Sequence, residues 1–285
     1  MGLKDMTKAH NSQLGKNTVY DSPYNPALLF PLSRGQNRES LHLASNKPLP
    51  FQGEDLWTCY ELSWLNLSGK PCVGVAYFRI PAHSPFMIES KSFKLYLNSL
   101  NHAKFESIDA LSLTLVNDLS KAAGLAVSVN IYDVRDQFNG TQLNDKQFEC
   151  VDELDLEGFE YQPNSALLKL DAASERQDEG LLCSHLLRSN CPVTGQPDWG
   201  TVYVRYRGRN ITHESFLRYI ISFRQCQDFH EHCVERIFTD LMRVCECESL
   251  SVYARYTRRG GLDINPYRAT SDRTASADNI RTARQ

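Results

Sequence analysis

The chain has 285 residues, 41% of them hydrophobic, 23% charged and 10% aromatic, with 31 Lys and Arg against 34 Asp and Glu for a formal charge of −3. This is the composition of a globular protein able to build one large core or two of ordinary size without disulfide or metal staples. The near balance of charge excludes a global basic field of the kind that holds nucleic acid, although a local basic patch stays compatible with it. Residues 1–17 are polar and carry Lys4, Lys8 and Lys16 without an apolar run, so they do not read as a secretory leader. No stretch approaches the ~20 apolar residues of a membrane-spanning helix. The nine cysteines are odd in number and irregularly spaced, at Cys59, Cys72, Cys150, Cys183, Cys191, Cys226, Cys233, Cys245 and Cys247. Free thiols in a reducing cytoplasm, most of them small buried hydrophobes, fit that usage best.

In chain order, residues 1–50 are rich in Asn, Ser, Pro and Leu with turn signals at Ser22-Pro23, Asn25-Pro26 and Lys47-Pro48, and read as an extended arm. Alternation and aromatic content predict strands over 55–65 and 72–80, joined through Gly69-Lys70-Pro71 as a hairpin. After Pro81 and Pro85, helical spacing of Phe93, Leu95, Tyr96, Leu97 and Leu100 predicts a helix over 88–100. A second helix over 107–121 aligns Ile108, Leu111, Leu115 and Leu119 and ends at Gly124, a C-terminal cap. A strand over 126–134 follows. The acidic segment 135–180, with Asp145, Glu149, Asp152, Glu153, Asp155, Glu157, Glu160, Glu175, Asp178 and Glu179, reads as a connection holding strands near 149–161 and 165–171. Beyond it come a strand over 199–208, helices over 214–224 and 229–245, and a strand over 250–258. The tail past Leu262 is polar and Arg-rich, and its last dozen residues are expected to be mobile.

The second half thus repeats the order of the first. Glu89-Ser90 followed by Phe93, Tyr96 and Ser99 echoes Glu214-Ser215 followed by Phe216, Tyr219 and Ser222, with two residues deleted after the serine, and Ser128-Val129 echoes Ser251-Val252. The expected architecture is α+β: a tandem of strand–strand–helix–helix units with antiparallel sheet. The arm occupies 1–50, the first module 51–135, the acidic connection 136–180 and the second module 181–285.

Four features bear on chemistry. Cys191 lies in SNCPVTGQPDWG (189–200), where Pro192, Gly195 and Pro197 fix the backbone and Asp198 falls within reach if the loop folds back. A cysteine on a rigid loop suits a nucleophile, while the default reading of this local pattern alone is a buried thiol in a tight turn. Glu231, in the Phe229-His230-Glu231 triplet at a helix start, is a natural first-turn anion. It is also a carboxylate able to accept the paired N–H groups of a guanine-like edge, with Phe229 over the base. Arg258-Arg259-Gly260-Gly261, with Lys91 and Lys94, suits either a phosphate cradle or a charged strand exit. His230, His232, Cys233, Cys245 and Cys247 are close in sequence but match no zinc framework, and no metal is expected there. Neither GxGxxG nor GxxxxGK[ST] occurs, so any nucleotide cofactor binds outside those frameworks.

Taken together, ESKSFKLYLNS (89–99), SNCPVTGQPDWG (189–200), FHEHCVERIF (229–238) and VYARYTRRGGLDINP (252–266) resemble the NADPH-dependent 7-cyano-7-deazaguanine reductases of queuosine biosynthesis, in their long two-module form. The resemblance covers nearly the whole chain and is weakest over 1–50 and 135–180. It implies two tunnelling-fold (T-fold) modules, with antiparallel sheets and helices on one face. It also implies a four-electron reduction of a nitrile to an aminomethyl group with two NADPH, through a thioimide on Cys191 with Asp198 as proton donor. By the same resemblance Ile88, Glu89, Ser90, His230 and Glu231 hold the base, and Ser90, Lys91, Arg259 and Gly260 contact NADPH. The ESKSFKLY motif lies in one half and the Cys–Asp loop in the other, so the modules read as complementary. A homodimer acting on a small deazapurine, with no direct nucleic-acid or membrane partner, is the implied setting. A cysteine hydrolase of nitriles or amides, with His230 as base, and a non-catalytic purine or pterin binder are the competing readings.

Overall fold

In the computed structural model, residues 23–43, 47–135, 147–173 and 177–285 are described, with the side chains of 177 and 178 excepted. Lys4, Lys8 and Lys16, the start of the arm, and Asp145 and Glu175 of the acidic segment lie outside them, as does the side chain of Asp178. The chain divides into two compact units. One is built from 1–46, 55–139 and 258–264, the other from 47–54, 140–257 and 265–285. The units therefore interleave in sequence, whereas the two modules expected from the pattern are contiguous. The reason is local: two strands each contribute residues to both units.

The described part of the arm is less extended than its composition suggests. Asn25 caps a 3-10 turn at Pro26–Leu28 by accepting from Ala27 N at 3.0 Å. Strand β1 (Pro31–Ser33) and the short helix α1 (Arg34–Glu39) follow. The buried guanidinium of Arg34 pairs with Asp55. Next come β2 (Gln52–Leu65) and β3 (Pro71–Pro81), neighbours in the sheet and closed by a turn in which Asn66 Oδ1 accepts from Lys70 N at 2.9 Å. Strand β4 (Phe86–Ile88) pairs antiparallel with β1, and helices α2 (Ser90–Ser99) and α3 (Ile108–Ala123) pack their apolar faces on the sheet. Strand β5 (Ser128–Asp133) runs antiparallel to β3, from Gly74 opposite Asp133 to Arg79 opposite Ser128. Phe93 is the hub of this core, with ring centroids 5.1 Å from Trp57 and 5.0 Å from Phe78. Leu111, Leu115 and Leu119 are buried as expected, but Ile108, in the first turn of α3, is exposed. Gly124 caps α3 in the left-handed region at φ 72°, and a Cβ there would meet Pro85 Cγ at 2.6 Å.

In the second unit, β6 (Glu149–Cys150) pairs parallel with β7 (Gln177–Asn190). Strand β8 (Pro197–Gly208) is antiparallel to β7. Helices α4 (His213–Ser222) and α5 (His230–Val244) come next, then β9 (Ser249–Tyr256) and β10 (Leu262–Ala269), and the order β10-β9-β8-β7-β6 completes this part of the sheet. Strands β8, β9 and β10 are antiparallel in turn.

Two expectations fail here. Of the strands expected near 149–161 and 165–171, the first is reduced to the two-residue β6 and the second is absent, while the long strand β7 was not anticipated. Register shifts at Gln177/Gly180 and Ser184/Leu187 break the period of two that would have revealed β7. Residues Ser165–Leu167 instead form a 3-10 turn in which Asn164 accepts from Ala166 N at 3.0 Å, a second copy of the Asn25 turn. The tail is likewise structured rather than loose. Every residue of β10 but Ile264 is buried, Ala277 and Ile280 pack with Tyr253 and Tyr267, and Arg284 donates to the carbonyls of Gly200 and His185 at 3.0 Å each. Polar side chains reaching backbone carbonyls leave no apolar pattern to read.

The repeat also has a simpler register than the motif suggested. Phe93 N donates to Glu89 O at 3.0 Å, as Phe216 N does to Thr212 O at 3.0 Å. Tyr96 donates to Asp118 at 2.6 Å, as Tyr219 does to Asp240 at 2.8 Å. Ser99 Oγ donates to Tyr96 O at 2.7 Å, as Ser222 Oγ does to Tyr219 O at 2.6 Å. No deletion is needed: Ser92 corresponds to Ser215, and the place of Glu89 is taken by Thr212.

Burial leaves a pH signature. The Cys59 thiol is pushed from 9.0 up to about 11, chiefly by desolvation. Those of Cys245 and Cys247 are pushed up to about 12 for the same first reason. The folded chain keeps these protons while the unfolded chain loses them, so stability falls as pH rises from the unfolded value through the folded ones. Urea midpoints should therefore drop between pH 9 and pH 11, with a shallower drop in Cys59→Ala/Cys245→Ala. An identical slope in the double variant would show that other groups dominate.

Candidate active site

In the second unit the β7–β8 hairpin carries the Cys–Asp pair. Its last strand pair is Asn190 opposite Pro197, with Ser189 opposite Asp198, so Cys191 opens the connecting loop one step beyond the ladder. The loop does fold back: Cys191 N donates to Gln196 O and Gly195 N to Cys191 O, both at 2.9 Å, with Gly195 at φ 69°. The end of β7 is held to the segment leading into α5 by Asn190 N to Cys226 O at 2.8 Å and Asp228 N to Asn190 O at 3.1 Å. Cys191 is thus rigidly seated and only 9% exposed.

Asp198 is buried at the start of β8, and its Oδ1 lies 3.3 Å from His230 Nε2. The His230 ring stacks on Tyr256, centroids 3.8 Å apart and planes 8° from parallel. That contact fixes the imidazole over the carboxylate. Tyr256 is itself buried, and desolvation first, then the nearby Cys233 and Asp198, raises its phenol well above the ordinary range. Glu231, buried in the first turn of α5, follows directly. Asp228 organises this helix start, accepting from Phe229 N at 2.9 Å and bonding His232 Nδ1 through its second oxygen. Phe229 is the N-cap residue of α5.

In the first unit, Ile88 ends β4 and Glu89 caps α2. Glu89 Oε1 accepts from Lys91 N at 2.7 Å and Oε2 from Ser92 N at 2.8 Å, and Ser90 Oγ is 3.4 Å from Oε1. Desolvation raises the Glu89 pKa, and these bonds oppose the rise. Its carboxylate therefore has a helix-capping task that the motif alone did not reveal. In the same unit the turn Arg258–Gly261 is closed by Arg259 N to Leu262 O at 2.9 Å, and the Arg258 guanidinium stands 4.9 Å from the Tyr60 ring centroid. Gly260, at φ 54°, places its α-carbon face over Lys94, whose Cε would lie 3.9 Å from an added Cβ. Lys94 in turn pairs with Glu61.

Tyr256 and Asp228 were missed in the sequence reading. Tyr256 has no sequence signal, because its stacking on His230 joins a strand to a helix distant in the chain. Asp228 and His232 were legible: an acid and a histidine four apart face each other across one helical turn. His230, His232 and Cys233 of α5 and Cys245 and Cys247 just beyond it are not grouped as a ligand set among the described residues; a different trio is.

Fold and site together define a mixed α+β protein with a buried thiol and a buried carboxylate at one end of a hairpin, the carboxylate met by a partly buried imidazole. Residues 20–131 match the family described as nitrile reductase, 7-cyano-7-deazaguanine-reductase N-term, and residues 197–275 match that described as QueF-like protein. The chain is 51% identical over 285 residues, all of both chains, to the NADPH-dependent 7-cyano-7-deazaguanine reductase of Chromobacterium violaceum. It is 52% identical over 275 residues to that of Burkholderia vietnamiensis, covering 96% of this chain and 98% of the other. It is 50% identical over 282 residues to that of Hydrogenovibrio crunogenus, covering 99% of each. The chain belongs to the 7-cyano-7-deazaguanine reductase family.

Proposed function

We propose that this chain reduces the nitrile of 7-cyano-7-deazaguanine to the aminomethyl group of 7-aminomethyl-7-deazaguanine with NADPH, a step in queuosine formation. The observation that carries this reading is the placement of Cys191 and Asp198 at one hairpin end with His230 against the carboxylate, in a chain of this family. The Cys191 thiolate adds to the nitrile carbon as a proton passes from the Asp198 carboxyl to the nitrogen, leaving a thioimide and the Asp198 carboxylate. Proton delivery of this kind is worth roughly 10²–10⁴-fold. His230, held on Tyr256, keeps the Asp198 carboxyl oriented and can return the proton. The low exposure of Cys191 and Asp198 limits hydrolysis of the adduct. His230 and Glu231 hold the base, Glu231 by its carboxylate against the ring N–H and exocyclic amine. Ile88, Glu89 and Ser90 are assigned to the base by the same motif resemblance.

Bound NADPH supplies the hydrides, two for the four electrons required. Support for such a polyanion comes from the cationic residues of the first unit: Lys94 lies beside Gly260 and pairs with Glu61, which packs against Gly261, and Arg258 and Arg259 belong to the same glycine turn. Ser90, Lys91, Arg259 and Gly260 are the residues assigned to it. No helix among the described residues is long and apolar enough to cross a membrane. We infer further that the protein is cytoplasmic, works as a homodimer and acts on the free base rather than on nucleic acid. The lack of disulfides among the described cysteines and the balanced net charge support the first and last of these.

The direct test is mass spectrometry of the protein mixed with the cyano compound without NADPH. The expected result is a gain of one substrate mass on the peptide holding Cys191. Adduct on another cysteine overturns the assignment, and release of acid and ammonia without NADPH consumption points to a hydrolase. Glu231→Ala should weaken base binding by about 1.5–3 kcal/mol, the scale of charge-assisted hydrogen bonds, in calorimetry with Cys191→Ala as background. Unchanged affinity would remove Glu231 from the base site.

A further inference from the structure

We propose that Cys150, Cys183 and His185 form a binding site for a zinc-type ion on the second unit. Cys150 and Cys183 face each other as direct partners of the parallel β6–β7 pairing. Their sulfurs and a ring nitrogen of His185 all lie within 4.8 Å of one another. Zinc bonds of ~2.3 Å to sulfur and ~2.0 Å to nitrogen put tetrahedral ligand atoms about 3.5–3.8 Å apart, so a small closure of the side chains seats the ion. Two sulfurs and an imidazole favour a borderline or soft cation over magnesium or calcium, whose ligands are oxygens.

The surroundings hold the trio in place. Asp152 Oδ1 accepts from Ser184 Oγ at 2.7 Å and its Oδ2 from His185 N at 2.8 Å, while Val151 N donates to Cys183 O at 3.1 Å. The strand of two residues that carries Cys150 is thereby locked to the strand carrying the other two ligands. His185 Nδ1 lies 3.0 Å from Thr201 Oγ1, an outer partner that sets the ring orientation. Cys183 is buried and Cys150 exposed, so the trio is open to an entering ion on one side and dry on the other. Cys191 lies eight residues further along the same stretch of chain, roughly 25 Å at strand rise. The ion would therefore join β6 to β7 and take no part in nitrile chemistry.

The test uses the full chain, stripped with chelator under reducing conditions and titrated with Co²⁺ or Zn²⁺ alone. The expected result is one equivalent of cobalt, with a thiolate-to-cobalt band in the near ultraviolet and tetrahedral bands in the visible, displaced by zinc. Cys150→Ser, at an exposed position, and Cys183→Ser should each abolish the band, and Thr201→Val should weaken binding about tenfold. Cys191→Ala should keep it, which separates this site from the reductase reading: either can fail without the other. Bands that survive Cys150→Ser, bands lost in Cys191→Ala, no stoichiometric binding, or a Cys150–Cys183 disulfide as the state that excludes the ion would each overturn the proposal.

Discussion

Cys191→Ala should abolish both NADPH oxidation with the cyano substrate and the covalent adduct, while leaving base binding in place. The nitrile carbon accepts hydride poorly, and adding sulfur converts it to an imine-like carbon that accepts hydride readily. Removing the thiol of the hairpin loop removes that route, so the rate should fall by about 10⁴-fold or more. Other thiols offer no substitute: Cys233 is fully buried with its pKa raised well above normal, first by its bond to Cys226, and Cys245 is pushed up to about 12 by burial. The substitution should be structurally mild, because the loop is held by backbone bonds from Cys191 N and O rather than by its sulfur. Substrate affinity measured by calorimetry is the control. A variant that binds the base and still turns over would end the thioimide account, whereas one that binds nothing would indicate a disrupted loop.

The largest expected effect on stability is at Arg268. Its side chain is fully buried in β10, with Nε and Nη2 donating to Glu235 Oε1 at 3.0 and 2.8 Å and Nη1 donating to the carbonyls of Glu54 and Tyr267 at 3.1 and 2.9 Å. Its guanidinium also stands 5.5 Å from the Phe51 ring centroid. Arg268→Met keeps most of the volume but leaves the Glu235 carboxylate and two carbonyls without their donor. Breaking a buried pair in this way costs about 3–5 kcal/mol, far more than the pair's own net contribution. Urea denaturation should show that loss for Arg268→Met and recover much of it in Arg268→Met/Glu235→Leu, where no buried charge is stranded. Losses that simply add in the double variant would show that the two side chains act independently. Because Glu235 lies on α5, four residues beyond Glu231, the single variant should also weaken base binding.

Much of the architecture is legible in the sequence. Phe93, Leu95, Tyr96, Leu97 and Leu100 recur at helical spacing and are buried along α2 and the turn after it, and Gly124 sits where a left-handed cap was needed. These are local signals, set by side-chain period and backbone sterics within one turn or one strand. The positions of Cys191 and Asp198 at the ends of a tight connection were legible for the same reason, since proline and glycine specify such loops over a few residues. By contrast, β7 was hidden by two register shifts, and β10 was hidden in an Arg-rich tail whose burial depends on partners far away in sequence.

Sequence by itself determined the four long helices, the strands with regular alternation, the duplication, and which cysteine stands on a loop between strands. Tertiary structure alone decided that His230 rests on Tyr256 and meets Asp198, that β10 is a core strand, and that Cys150 and Cys183 are neighbours. The physical reason is range. Helical and turn preferences act between residues a few positions apart, whereas stacking, strand pairing and buried ion pairs join groups whose separation along the chain carries no periodic trace.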